Sequence, residues 1–142
     1  MIATKPSPDV AVEELTRGYE EQARLYARML ELSLEEREAL RQGGGMDRFM
    51  DLFAEKEDLL RLAGEIDERM AGAKESVMST PPADRPDRER LGALLDCVAM
   101  VIEDIRSVET ANAVFLDAQR ATHANVREDA AEAAAVYWGA DC

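Results

Sequence analysis

Histidine, cysteine and clustered carboxylates are the side chains from which a catalytic or metal site would be built, and this chain has few of them. There is one histidine, His123, and there are two cysteines, Cys97 and Cys142. His123 lies beside Thr122 and Val126 on a long helical stretch, the position of a structural boundary residue. A histidine phosphotransfer domain also displays a lone His on a bundle helix, but AQRATHANVRE lacks the nearby Lys and Gly such a site uses. Carboxylate-bridged di-iron bundles need Glu-x-x-His on two helices, a spacing this chain lacks. Asp47, Asp51 and Glu55 recur at intervals of four, which reads as a solvated acidic face. Cys97 flanks an apolar seam as a small boundary residue, and nothing around Cys142 suggests a designed environment. The GGG stretch is followed by Met46, not by the Lys-Ser/Thr pair of a phosphate-binding loop. No convergent polar site emerges, so the expectation is a non-enzyme with no cofactor and no metal.

The bulk properties exclude further classes. The chain has 142 residues, with 30 Asp and Glu against 17 Lys and Arg, for a formal charge of −13. That balance opposes binding to nucleic acid, whose phosphates require a basic patch, and to anionic membrane surfaces. No window approaches the roughly 18 unbroken apolar residues of a membrane span, so no membrane insertion is expected. The opening MIATKPSPDVAVEEL has no apolar stretch of the kind found in secretory leaders, and two cysteines are too few for a disulfide framework. A cytoplasmic protein is expected, of a length that fits one domain.

The elements that would position any functional residue are helices. Hydrophobic residues make up 46% of the chain but aromatic residues only 5%. The apolar content is carried by Leu, Ala, Val and Met amid abundant Glu and Arg, the palette of long helices. Alternating β-branched runs separated by turn pairs are absent. The fold class is therefore all-α. Breaks fall at Gly43–Gly45 and at the proline-rich STPPADRPD of residues 79–87, because proline removes a backbone donor and stops helices. The spacing predicts a loose arm over 1–8, helices over about 9–42, 46–78 and 88–138, and a tail over 139–142, with 9–138 forming a single elongated bundle domain.

The first helix, with Asp9 available as a cap, has a broad stripe through Leu15, Tyr19, Leu25, Tyr26, Met29, Leu30, Leu32 and Leu40. A stripe that wide meets more than one neighbour. In the second, Leu52, Leu59, Ala63, Ile66, Met70, Ala73 and Val77 step mostly by three and four. The glycine turn between the two makes an antiparallel hairpin. The third helix has the strongest pattern. Leu91, Leu94, Val98, Val101, Ile105, Val108, Asn112, Phe115, Gln119, Thr122 and Val126 alternate spacings of three and four, the heptad seam of a helix held against a neighbour. Leu95, Ile102 and Leu116 widen it. From Asn112 onward the seam is as often polar as apolar.

Length then becomes informative. At 1.5 Å per residue the second helix spans about 50 Å and the third about 75 Å. Running back along the second, the third would pass the glycine turn near Arg120 with roughly 25 Å still to go. The residues beyond have no partner inside the hairpin. They fold back, fray, or dock on another chain. The pattern leaves open whether the third helix is continuous or bent.

The stretch LYARMLELSLEEREALRQGGGMDRFMDLFAEKEDLLRLAGEID, residues 25–67, resembles the hairpin of FlgN-type flagellar export chaperones. A Leu-rich helix ends in an E-x-E-A-L-like stretch, a short Gly-containing turn follows, and the next helix has an E-K-E-x-L-L-like core, here Glu55, Lys56, Glu57, Asp58, Leu59 and Leu60. Asn112 within IRSVETANAVFLDAQ is similar to the family's Asn-containing later helix, although Glu109 and Thr110 stand where a second Asn is often found. The likeness covers most of residues 10–128.

The resemblance implies a cytoplasmic chaperone that holds the C-terminal helical segments of hook–filament junction proteins, prevents their premature assembly and brings them to the export gate. An unassembled terminus of that kind exposes an apolar stripe that must be covered, and the late third helix offers a face for it. Client contacts are expected at Val108, Ala111, Asn112, Phe115, Leu116, Gln119 and Val126. Contact with the export gate's cytoplasmic domain is expected at Tyr137 and Trp138. The protein itself would be a monomer or weak homodimer. The competing reading is a structural helical-bundle adaptor that self-associates through the third helix.

Overall fold

The computed structural model describes residues 6–43, 46–82 and 89–138, the stretch 122–138 by its helical backbone. It contains three helices: α1 (Pro8–Arg41), α2 (Met46–Ser79) and α3 (Glu89–Trp138). There is no strand among the described residues, and α3 runs as one continuous helix of 50 residues.

The start of α1 differs from the expected cap. Ser7, not Asp9, is the N-cap, its hydroxyl accepting from the Val10 amide at 3.4 Å. Pro8 follows as the first helical residue, where its missing N–H breaks no helical bond and its fixed φ already suits the helix. Asp9 falls in the first turn, well placed against the helix dipole. Pro6 is tied down as well, its carbonyl accepting from the Ser76 hydroxyl at 2.6 Å. At the other end α1 stops at Gly43, whose φ of +62° is left-handed and so favours a residue without a β-carbon.

The broad stripe on α1 is accounted for by two neighbours. α1 packs against both α2 and α3, whereas no described Cα of α2 comes within 8 Å of one in α3. The order across the molecule is thus α2, α1, α3. This corrects the expectation that the third helix lies along the second: it runs antiparallel to α2 but rests on α1, parallel to it. Two amide bonds fix the register at a constant offset of 79 residues. Asn112 Nδ2 donates to the Ser33 carbonyl at 3.1 Å and Gln119 Nε2 to the Leu40 carbonyl at 3.3 Å.

The core sits mainly between α1 and α2, where Ala11, Leu15, Ile66, Met70, Ala73 and Val77 are joined by Leu91 from α3. Gly18 allows the closest approach. A β-carbon there would fall 2.2 Å from Met70 Sδ and 2.7 Å from its Cγ. Gln22 is a polar member of the same interface, 2% exposed, donating to the Ala63 carbonyl at 2.9 Å and to Asp67 at 2.8 Å. On α3 the heptad seam faces α1: Leu91, Val98, Ile105 and Asn112 are buried, and Leu94, Val101 and Val108 half-buried.

Candidate partner-binding surface

The described helices meet most distinctively at a polar node. Lys56 on α2 is 7% exposed and Glu36 on α1 is 1% exposed, and the two form an ion pair. The Lys56 ammonium also donates to Glu109 of α3 at 2.6 Å and to the Ser33 hydroxyl at 3.4 Å. Two carboxylates therefore share one cation, leaving one negative charge in excess. Burial drives the Glu36 carboxyl above its ordinary value; the Lys56 ammonium opposes this and Glu109 adds to it. Lys56 Nζ also lies 5.9 Å from the centre of the Phe53 ring, which in turn stacks on Phe49 at 6.4 Å. The Lys56–Glu109 pair bridges α2 and α3 across a gap that their described backbones leave open.

This lysine was not among the expected functional residues, although the spacing held a sign of it. The α2 stripe jumps seven residues from Leu52 to Leu59, and a helix that keeps one face inward must place something between them. Lys56 is that residue. Its burial depends on Glu36 and Glu109, which lie 20 residues before it and 53 after it, and no local pattern announces them.

The residues expected to touch a client or the export gate divide into three groups. Asn112, 5% exposed, and Gln119 direct their amides to α1 carbonyls. Val108 and Leu116 are half-buried, and Ala111 and Phe115 are exposed, Phe115 at 37%. The side chains of Val126, Tyr137 and Trp138, like that of His123, lie outside the described residues, as does Cys142. Val114, 65% exposed, stands on the outer side of α3 beside Ala111 and Phe115 and was not expected. Counting seam positions follows the face turned inward and passes over an apolar residue turned outward.

Past Gln119 the α3 helix continues for nineteen residues to Trp138, a length of about 28 Å, while α1 has ended at Arg41. Ion pairs are spread over the surface. Arg28 pairs with Glu55 at 3.1 Å, Arg69 with Glu21 at 2.8 Å, and Arg90 with Glu20. Exposed pairs of this kind add little stability. Cys97 is a free, exposed thiol. Among the described residues no group of three His, Cys, Asp or Glu side chains could hold a metal ion, and no helix is long and apolar enough to cross a membrane.

The described helices thus form a row in which one member outruns the others, with apolar residues on an open face and a buried ionic node that draws on all three helices. The FlgN protein family matches residues 1–126, and the chain belongs to that family. It is, in general terms, a flagellar export chaperone. No curated protein and no solved structure gives a significant match.

Proposed function

We propose that this chain is the cytoplasmic chaperone of hook–filament junction proteins, covering their C-terminal helical segments before export and handing them to the export gate. The observation that carries the reading is the length of α3 beyond Gln119, next to an outward apolar face. Ala111, Val114 and Phe115 follow the i, i+3, i+4 spacing of a helix-in-groove contact. Phe115 and Leu116 are the anchors, with Val108 and Val126 as further client contacts. Asn112 and Gln119, already bonded to α1, keep that part of α3 in register while the client is held. Tyr137 and Trp138 serve the export gate, amphipathic aromatics being suited to contact surfaces.

Phe115→Asp is expected to weaken binding of a junction protein's C-terminal segment by at least tenfold, since burying one such ring is worth about 1.5–3 kcal/mol. Titration calorimetry of the purified pair measures this, with far-ultraviolet circular dichroism confirming that the variant is folded. Unchanged affinity in a folded variant would remove the reading. Deleting residues 130–142 should leave client affinity intact and weaken capture by the gate's cytoplasmic domain.

A further inference from the structure

The space between α2 and α3 is itself a binding trough. Because Lys56 reaches Glu109, the side of α2 that carries Lys56 faces α3. Residues three and four positions away share that side, which places Phe53 and Leu60 along it, 40% and 56% exposed. On α3, Ile102 and Leu116 lie seven residues either side of Glu109 and are half-buried. On α1, Tyr26 lies seven before Ser33, which contacts both Lys56 and Glu109. The α1 helix thus forms a floor, with an apolar wall on each side whose backbones do not approach. The Lys56–Glu109 pair crosses the trough as a bar. On the hairpin-tip side of the bar, the walls are Phe53 and Leu116, and the trough opens towards the part of α3 that continues past Gln119.

We propose that a partner's amphipathic helix lies along the far part of α3 and inserts its end between Phe53 and Leu116, stopping at the Lys56–Glu109 bar. The inserted end presents an apolar stripe and a Lys or Arg. The charge at the bar dictates this chemistry: Lys56 faces two carboxylates, Glu109 is 46% exposed at its side chain, and the neighbouring Glu57 is exposed. The same arithmetic disfavours a second copy of the chain as occupant, because a chain of charge −13 would bring its own acidic surface to an acidic bar. The proposal rests on the client reading above and gives it a second contact surface on α2.

The test uses the full chain and a fluorescein-labelled synthetic peptide of a junction protein's C-terminal helical segment, followed by anisotropy. Phe53→Glu, at a half-open position, is expected to weaken binding about tenfold or more, and Glu57→Lys by about two- to fivefold at low salt. A benzophenone side chain at position 53 should crosslink to the peptide. One at Leu62, on the side of α2 turned away from α3, should not. If Phe115→Asp abolishes binding while Phe53→Glu and the crosslinks show nothing, the trough is overturned and the client reading stands. If the wild-type chain binds no peptide, both fall. If sedimentation shows a dimer that Phe53→Glu dissociates while peptide affinity is unchanged, the occupant is a second copy and the proposal is wrong.

Discussion

Lys56→Ala is expected to destabilise the fold by about 3–5 kcal/mol, a fall in Tm on the order of 10 °C for a chain of this size. The magnitude follows from what remains. Glu36, 1% exposed, would keep its desolvation cost and face Glu109 with no cation between them. Removing one member of a buried pair is far more damaging than removing the pair, because the survivor stays buried and uncompensated. Lys56→Met combined with Glu36→Gln should therefore recover most of the loss. The pH dependence provides a second check. The folded-state pKa of Glu36 is raised above its ordinary value of 4.5. Its contribution to stability is thus complete below that value and is lost as pH rises through the raised one. Without Lys56 the carboxyl is pushed further up, so the deficit of Lys56→Ala should shrink as the pH is lowered from neutral towards the ordinary carboxylate range. Urea denaturation across that range measures both effects. A deficit under about 1 kcal/mol at neutral pH, or one that grows on acidification, would contradict the account.

The second large effect lies in the middle of α1. Leu32 is fully buried at 0% exposure, while Leu34, two positions on, is 45% exposed. Leu32→Ala deletes buried methyl groups and leaves a cavity between helices that can collapse only partly, at a cost of about 2–5 kcal/mol. Leu34→Ala, of identical chemistry, should fall within about 0.5 kcal/mol of wild type. Equal effects at the two positions in chemical denaturation would mean that the burial pattern along α1 is wrong.

Much of the architecture could be read from spacing. The α3 seam from Leu91 to Asn112 is buried or half-buried throughout, and the passing point expected near Arg120 falls at Gln119 opposite Leu40. The width of the α1 stripe announced two neighbours, and both are present. What spacing did not settle was which helix α3 would choose. A heptad seam states that a partner exists, and parallel and antiparallel neighbours satisfy it equally. The choice is made by Asn112 against the Ser33 carbonyl and Glu109 against Lys56, bonds joining residues 79 and 53 positions apart. Capping turns on a local detail: Asp9 and Ser7 both suit the role, and Pro8 between them decides for Ser7. The trough was hidden for a third reason. Phe53 and Leu60 lie alongside the apolar stripe of α2, and spacing alone does not tell which neighbour they face until Lys56 shows which way that side points.

A row with α1 at its centre is not equally firm along both its seams. The hairpin joins stretches that follow each other closely along the chain, so little loop entropy opposes its closure. During synthesis it can be complete while α3 is still being made. α3 has one seam to hold it, and that seam turns partly polar from Asn112 onward. The last helix to be made is also the first able to let go, by a partial opening that leaves the hairpin whole. Amide exchange should register this hierarchy as slow exchange around Leu32 and Ser33 and faster exchange along α3. Release of anything held on α3 would then need only a local opening there, without unfolding of the hairpin.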